Sequence, residues 1–275
     1  MLSKPTLLTL ITLLTALLAL LLSSSLSTQP SPPPSIVLRS QIPCPASYPG
    51  CRPHTCGRLA IDNIVSPAEA DILSSLLTAA LNTTGGGSGG VSVLDLASGA
   101  VSRGSAFVDL YKVLSSSSSS GLSREALDLY RDVVNRVKGV VAATFEAKRK
   151  PKRKLFLSSP TFFSQFEGGV EPSTEHDEYW HTHIDTNVYP HFSYTGLVYL
   201  TDPDHDFQGG SFQFESGEPI EARKGRVLVF SSGPENPHHV EPVSSGIRRA
   251  LTISFSCDPT HSIESDFLSK ALQQS

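Results

Sequence analysis

The 275-residue chain contains few charged residues, 17% in total, and its net charge at pH 7 is only −4. It therefore lacks the excess of lysine and arginine that nucleic-acid-binding domains carry, and we expect no nucleic-acid partner. Cysteine is also scarce, with four residues and no CxxC pair. Because structural zinc sites commonly use such closely spaced pairs, this absence argues against a zinc-stabilised domain.

One long segment lacks charge altogether. Residues 6–22 read TLLTLITLLTALLALLL, and with residues 23–26 the segment is about 20 residues long, which is enough for a helix to cross a bilayer. It is either a cleaved signal peptide, with small residues at 23–25 as a cleavage site, or an uncleaved signal anchor. The run is longer than a typical signal-peptide core, so we predict that residues 1–26 form a signal anchor with a transmembrane helix.

The charges beside this segment predict its orientation. Lys4 is the only charged side chain before Arg39. The positive-inside rule then predicts a single-pass type II membrane protein of the endoplasmic reticulum or Golgi, with the rest of the chain in the lumen. Cleavage of the segment would instead give a secreted protein.

Cysteine usage agrees with an oxidising compartment. Three cysteines, Cys44, Cys51 and Cys56, lie close together, and Cys257 lies far along the chain. Four cysteines can form two disulfides in the secretory pathway, but the sequence leaves their pairing open.

The composition changes several times along the chain. Residues 27–43 are rich in serine and proline and predict an extended stalk. Residues 44–150 predict a cysteine-containing helical support region, with helices starting at Ser66 and Ser123. The first helix is expected to end near Leu81, just before an Asn82-Thr83-Thr84 sequon that predicts N-glycosylation of Asn82 in a loop. The serine tract at 115–120 predicts a disordered loop.

The second half of the chain is dominated by short strands. Runs rich in β-branched and aromatic residues, at 155–157, 161–166, 194–200, 211–214, 226–230 and 250–255, are separated by glycine and proline turns. Many short strands after two helices predict an α+β fold: a double-stranded β-helix, or jelly roll, over residues 155–262, with an N-terminal helical support layer and a preceding transmembrane helix.

A possible metal site lies within this half. His183 and Asp185 are two residues apart, so on a strand both side chains point the same way and can hold one ion. Two histidines and one carboxylate on one side of a metal are typical of non-haem Fe(II) sites. The third ligand must come from another strand, and the adjacent residues His238 and His239 both qualify by residue type. His181 remains possible, whereas His191 and His205 lie in loop-like stretches and favour surface or structural roles.

The sequence from residue 238 to 248, HHVEPVSSGIR, resembles the second half of the site in Fe(II)/2-oxoglutarate oxygenases of the prolyl 4-hydroxylase-like group. The segments around Tyr199, at 209–212 and at 225–230 are also similar to that family. The resemblance implies that His183, Asp185 and His238 bind Fe(II). It further implies that Arg248 pairs with the far carboxylate of 2-oxoglutarate, with Tyr199 assisting.

This family resemblance implies a reaction as well as a site. The expected cofactors are Fe(II), 2-oxoglutarate, O2 and L-ascorbate, and the expected reaction is hydroxylation of a protein side chain with release of succinate and CO2. The substrate itself, a protein or a small molecule, is not encoded in any motif. The alternatives are a catalytically silent jelly-roll module that binds a metal or ligand, and a cupin-type Mn or Zn enzyme. Arg248 distinguishes them, because neither needs a basic anchor for 2-oxoglutarate.

Overall fold

The computed structural model describes residues 32–87, 90–116, 121–170 and 179–275. Residues 33–275 form one compact unit. The predicted transmembrane helix at 1–26 lies outside the described residues, as does the start of the predicted stalk. Within the described ranges, no helix has the length and apolar character needed to span a membrane.

The described residues of this unit form twelve strands and five α-helices, so the α+β prediction is confirmed. The strands are β1 (Ser35–Ile42), β2 (Cys56–Asp62), β3 (Val91–Asp95), β4 (Ala100–Arg103), β5 (Ala106–Asp109), β6 (Phe156–Glu167), β7 (Tyr194–Tyr199), β8 (Phe207–Gly209), β9 (Phe212–Phe214), β10 (Val227–Ser231), β11 (His238–Val240) and β12 (Val243–Ser256). The helices are α1 (Pro67–Thr84), α2 (Leu110–Ser116), α3 (Arg124–Val141), α4 (Asp185–Val188) and α5 (Ser269–Leu272).

Nine of these strands form a large sheet in the order β1-β2-β10-β7-β12-β6-β3-β4-β5, and β8 pairs with the start of β12. A second sheet contains only β11 and β9. Every pairing between these strands is antiparallel. Strands distant in sequence, such as β2 and β10, are thus neighbours in space.

The two long helices begin where the sequence predicts. Ser66 caps α1 and forms a full capping box with Glu69, while Pro67 occupies the first helical position. Gly85, in the left-handed conformation, ends α1 after Thr84, one turn later than expected. Ser123 caps α3, which continues into a π-helical turn over Ala142–Glu146.

The long helices α1 and α3 cover one face of the large sheet, and the other face meets the small sheet. Alternation along each strand produces this division, because successive side chains point to opposite sides. The helix-covered face of the central strands carries Val198, Val227, Val229, Leu251 and Ile253. Their opposite face carries Leu197, Tyr199, Leu228, Phe230 and Ala250, which pack with Phe212 and Phe214 of β9.

Three predictions of local structure require correction. Ser35–Ile42, expected within the stalk, is an edge strand whose backbone groups bond to β2. The predicted helical support region also contains β2 to β5, which belong to the large sheet. Ser115 and Ser116, expected in a disordered loop, form the last turn of α2, and residues 117–120 lie outside the described part. Long-range backbone pairing, which composition does not report, accounts for the hidden strands.

The cysteines pair as Cys44–Cys56 and Cys51–Cys257. The first bridge closes the loop between β1 and β2. The second, which spans 206 residues of sequence, fastens that loop to the end of β12. Arg153 donates hydrogen bonds to both sulfurs of this second bridge and to the carbonyl of Arg52.

Candidate metal and 2-oxoglutarate site

His183, Asp185 and His238 come together on the side of the large sheet that faces the small one. One ligand atom from each lies within 4.8 Å of the others. Asp185 Oδ1 is 3.7 Å from His183 Nε2 and 3.6 Å from His238 Nε2. This is the only such group of metal-binding residue types in the described ranges.

The backbone that presents His183 and Asp185 differs from the regular strand that the spacing predicts. His183 forms a single antiparallel bridge with His238, and each backbone N–H donates to the other residue's carbonyl. Asp185 begins the one-turn helix α4. Ile184 between them is extended (φ −120°, ψ 124°), and this conformation keeps the two side chains on one side.

The side chains of the adjacent residues His238 and His239 lie on opposite faces of β11. His238, 5% exposed, points inward and pairs with Phe214 of β9. His239 points the other way, with Nδ1 3.3 Å from the Thr182 hydroxyl. His191 stacks on His261, and His205 lies beside Asp206 at the surface, so neither joins the cluster. His181 lines the cavity described below without joining the cluster.

The three side chains are oriented by their other hydrogen-bonding atoms. His238 Nδ1 lies 2.9 Å from the carbonyl of Asn236, and His183 Nδ1 lies 3.3 Å from that of His181. A proton on each Nδ1 leaves Nε2 free to bind a metal. Burial lowers the pKa of His238, which favours the neutral imidazole that a metal requires. The Thr195 hydroxyl donates to Asp185 Oδ2 and leaves Oδ1 facing the histidines.

The cluster opens into a cavity of about 530 Å³. Apart from the cluster and Arg248, the wall is mainly apolar and aromatic, formed by Val91, Val93, Phe162, Phe166, Val188, Tyr189, Phe192, Leu197, Phe212, Phe230 and Val240. Val188 in α4 is 61% exposed, so the cavity reaches solvent on that side. A ligand can therefore approach the open side of the metal cluster.

Arg248 enters the same cavity and is only 1% exposed. Its Nε donates to the carbonyl of Gly210 over 2.9 Å, and its guanidinium lies 5.3 Å from the Tyr199 ring and 5.4 Å from the Phe166 ring. No carboxylate of the described residues forms an ion pair with it, and its Nη2 has no hydrogen-bond partner there. A buried arginine that lacks an anion can bind a ligand carboxylate.

Tyr199 lies beside this guanidinium, on the cavity side of β7. Burial raises the pKa of its hydroxyl to about 12, against the opposing charge of Arg248, so the hydroxyl remains protonated. It has no hydrogen-bond partner of good geometry within the described ranges. The Tyr199 hydroxyl and Arg248 Nη2 are therefore two donors of neighbouring buried side chains, and Arg248 lines the cavity.

Arg249 occupies the opposite face of β12. It donates to Gln165 Oε1 over 2.8 Å and to the Ser74 hydroxyl over 2.9 Å, joining the sheet to α1. Arg248 and Arg249 are thus separated by the pleat of one strand, so their side chains lie on opposite faces of the sheet.

Two further residues, Tyr179 and Gly210, shape the site without having been assigned a role from the sequence. Tyr179 stacks on Phe166 at 4.2 Å and accepts a hydrogen bond from the Val243 backbone. Gly210 has φ +66°, and a Cβ there would lie 2.8 Å from Arg248 Cδ. The glycine pair at 209–210 was a usable signal for a close approach, whereas Tyr179 lies in an irregular segment.

Asn82 lies far in sequence from these residues. It occupies the last turn of α1 rather than a loop, and its side chain is exposed. Its glycosylation stays a prediction.

Comparison with known proteins agrees with this geometry. Residues 172–256 match the sequence family "2OG-Fe(II) oxygenase superfamily". The chain is 42% identical over 231 residues to 2-oxoglutarate and iron-dependent oxygenase domain-containing protein 3 of Xenopus tropicalis, covering 81% of this chain and 71% of that protein. This chain belongs to the 2OG-Fe(II) oxygenase superfamily. It is accordingly a 2-oxoglutarate-dependent dioxygenase, and its cofactors are Fe(II), 2-oxoglutarate and O2.

Two more distant similarities were found. Human prolyl 3-hydroxylase 1 is 26% identical over 195 residues, covering 60% of this oxygenase and 25% of that protein. A crystal structure of a Pseudomonas putida prolyl-4-hydroxylase aligns with a TM-score of 0.46 and 16% identity, covering 73% of this chain and 92% of that one.

Proposed function

We propose that this dioxygenase hydroxylates a protein side chain in the lumen of the secretory pathway. In this proposal His183, Asp185 and His238 hold Fe(II), and Arg248 with Tyr199 binds the far carboxylate of 2-oxoglutarate. The observation that carries the proposal is the buried Arg248, which forms no ion pair with any described residue and lies in the same cavity as the His-Asp-His cluster. The two sheets that enclose this cavity would be the two layers of the predicted double-stranded β-helix.

The residues present fit Fe(II). Two imidazole nitrogens and one carboxylate oxygen converge from one side, and the cavity lies on the other. Such a set leaves coordination positions open for a co-substrate and O2, as non-haem iron oxygenases require. Hydrogen bonds to both Nδ1 atoms and to Asp185 Oδ2 keep the donor atoms facing inward, so little reorganisation accompanies metal binding.

The residues present also fit a dicarboxylic acid. Arg248 Nη2 and the Tyr199 hydroxyl have no hydrogen-bond partner among the described residues, and both side chains lie on the cavity face of neighbouring strands. A carboxylate placed between them would satisfy both donors and neutralise the buried guanidinium. Gly210 makes room for the Arg248 stem, since any side chain there would displace it.

The chain's own contribution to the reaction is binding, orientation and exclusion of water. Arg248 and the metal cluster would hold 2-oxoglutarate at both ends, and the aromatic walls formed by Phe166, Phe212 and Phe230 would limit water near the metal. When bound, Fe(II) with 2-oxoglutarate and O2 supplies the oxidation that hydroxylates a C–H bond and yields succinate and CO2. L-Ascorbate would keep the iron reduced between turnovers.

The cavity wall supports a side chain of low polarity as the substrate. Val188, Tyr189 and Phe192 line the cavity beside its exposed edge, and among the residues that the structure describes Asp185 is the only acidic side chain in the lining. Prolyl 3-hydroxylase 1, one of the relatives, is named for action on proline. A polypeptide lying across this edge could insert one residue toward the metal.

The lumenal location rests on two features of the chain. Residues 6–26 are apolar and uncharged and follow Lys4, which favours a type II signal anchor. All four cysteines are in disulfides, a state that persists in oxidising compartments. Attachment of the protein to membranes through its N-terminal segment is part of this proposal.

The deciding experiment measures succinate release from 2-oxoglutarate by the purified protein with Fe(II) and ascorbate, with and without a broad panel of peptides. Arg248→Ala should raise the 2-oxoglutarate concentration for half-maximal rate about 10- to 100-fold, as expected for the loss of a charged hydrogen-bonding partner, and leave iron content unchanged. Arg249→Ala, which removes the same side chain from the opposite face, is the matched control and should leave this requirement unchanged.

Two outcomes would contradict the proposal. Absence of succinate release by the wild type across the whole panel would favour a silent binding module. Equal loss of iron and of 2-oxoglutarate affinity in Arg248→Ala would reject the specific role of Arg248. Mass spectrometry of secreted proteins from cells with and without this oxygenase would then identify the substrate.

A further inference from the structure

We propose that Arg58 on β2 is a positioning residue that sets the orientation of the His238 imidazole. This inference rests on the proposed role of His238 as a metal ligand. Arg58 is about 180 residues away in sequence and lies outside the segment that matches the oxygenase family, residues 172–256. Its side chain is nevertheless buried, 5% exposed, and points toward the turns on both sides of the strand pair β9–β11.

The first connection passes through Asn236. Arg58 Nε donates to Asn236 Oδ1 over 2.6 Å, and the Asn236 carbonyl lies 2.9 Å from His238 Nδ1. The Asn236 amide also donates to the carbonyl of Ser231 over 2.7 Å. Arg58 therefore holds the residue whose carbonyl determines which His238 nitrogen carries the proton and which faces the metal.

The second connection passes through β9, the partner strand of β11. The Arg58 guanidinium lies 3.8 Å from the centre of the Phe214 ring, and Phe214 is directly opposite His238 in the strand pair. Both Nη atoms bond to Ser216 in the following turn, one to its carbonyl and one to its hydroxyl. The five donors of a planar guanidinium suit this task, since they bond in several directions at once.

A stabilising role alone explains these contacts poorly. Burying a cation is costly, and the described residues offer Arg58 no direct ion pair. The Glu235 carboxylate acts on Arg58 through its charge but makes no hydrogen bond to it. What the arrangement does achieve is a fixed geometry: one side chain joins β2 to both strands of the small sheet at the level of His238.

The proposal predicts that mutation of Arg58 lowers the free energy of metal binding by more than it lowers the free energy of unfolding. Arg58→Met in the full-length protein should weaken Co(II) binding about 10- to 100-fold, the effect of removing outer contacts of a metal site. Co(II) is the probe because its absorption bands, followed during a titration, also report its ligand geometry. Arg249→Met is the matched control: it removes another hydrogen-bonded arginine but leaves His238 and its contacts intact, so its Co(II) affinity should equal that of the wild type.

A double-mutant cycle separates positioning from general loosening of the fold. In an Asn236→Ala background the Arg58→Met change should have a much smaller effect on Co(II) affinity, because the connection is already broken. Additive effects would overturn the proposal, as would equal Co(II) affinities for Arg58→Met and the wild type. If Arg58→Met does not fold, Arg58→Lys serves instead. It keeps the charge but cannot reach Asn236 and Ser216 together, so wild-type affinity in this variant would also overturn the proposal.

The Co(II) titration of the wild type separates two failures: that of the proposed metal site and that of the proposed role of Arg58. Failure of the wild type to bind Co(II), or equal binding by His238→Ala and the wild type, would remove the proposed metal site and the role of Arg58 with it. Tight binding by the wild type, loss in His238→Ala and no change in Arg58→Met would reject the role of Arg58 alone.

Discussion

The two faces of the central strands β7, β10 and β12 differ sharply in chemistry. One face lies under α1 and α3 and carries fully buried aliphatic residues such as Leu251 and Val229. The other face carries Thr195, Arg248 and Thr252, which line an open cavity, and Tyr199, which lies beside Arg248. The same backbone therefore stabilises the fold on one side and presents the site on the other, because successive side chains alternate.

The largest effect on activity alone is expected when a metal ligand is removed from the cavity face. Asp185→Ala should abolish succinate release, with a loss greater than the 10- to 100-fold caused by mutating outer contacts of a metal site. Stability should change little, because Asp185 lies at the start of a short helix beside the cavity. Turnover and thermal unfolding of the same preparation are the two measurements. Retention of more than a tenth of the wild-type rate would contradict the assignment.

The adjacent residues Leu251 and Thr252 compare how much the two faces contribute to the free energy of unfolding. Leu251→Ala should lower the free energy of unfolding by about 2–5 kcal/mol, because Leu251 is completely buried under the helices. Thr252→Ala, one residue along and on the cavity wall, should cost less than about 1 kcal/mol. Urea unfolding of both variants tests this, and equal losses would show that the two faces contribute alike to stability.

Thr195 offers an intermediate test on the cavity face. Its hydroxyl donates to Asp185 Oδ2, so Thr195→Val should lower metal affinity about tenfold or more while preserving shape and volume. Thr195→Ser, which keeps the hydroxyl, is the matched control and should retain affinity. Co(II) titration of the two variants is the measurement, and a similar loss in both would assign the effect to packing.

The smallest predicted effect concerns the ion pair between Glu69 of α1 and Arg136 of α3. Their side-chain atoms lie 2.7 Å apart. Burial acts to raise the pKa of Glu69, but hydrogen bonds from Arg136 and the Ser66 backbone outweigh it, and the pKa is lowered. A lowered pKa in the folded state stabilises the fold above the pKa of the unfolded chain, and this contribution is lost as pH falls through the lowered value.

Glu69→Gln isolates this charge, since glutamine also completes a capping box. The variant should be less stable than the wild type by about 0.5–1 kcal/mol at pH 7, and this difference should be smaller at about pH 3, below the ordinary glutamate pKa of about 4.3. Parallel urea titrations at the two pH values check this. A difference that is undiminished at low pH would mean that the glutamate acts through packing or capping instead.

Prediction from the sequence succeeded where the information is local. Ser66, Pro67 and Glu69 define the start of α1, and the apolar stripe of α3 lies where its period places it. The orientation of His183 and Asp185 was also predictable from local sequence. A two-residue spacing keeps both side chains on one side even without a regular strand. The family resemblance selected His238 and Arg248, and the structure gathers both at one cavity.

Prediction failed where structure depends on distant pairing. Ser35–Ile42 reads as a stalk because serine and proline precede it, yet it becomes a strand by pairing with β2. Residues 155–157 and 161–166 read as two strands separated by Pro160, whereas β6 runs through both as a single strand of 12 residues, Phe156–Glu167, opposite β12. A strand's partners, unlike a helix cap, are not recorded in its own residues.

The sequence by itself determined the chemistry this oxygenase can perform, because ligand types, their spacing and the basic anchor are properties of short segments. Tertiary structure alone decided which residues outside these segments support the site and the surrounding fold. It paired Cys51 with Cys257, placed Arg249 under α1 rather than in the cavity, and brought Arg58 against Asn236 and Phe214. Each of these depends on contacts between segments more than 150 residues apart in sequence, and those form only when the sheet closes.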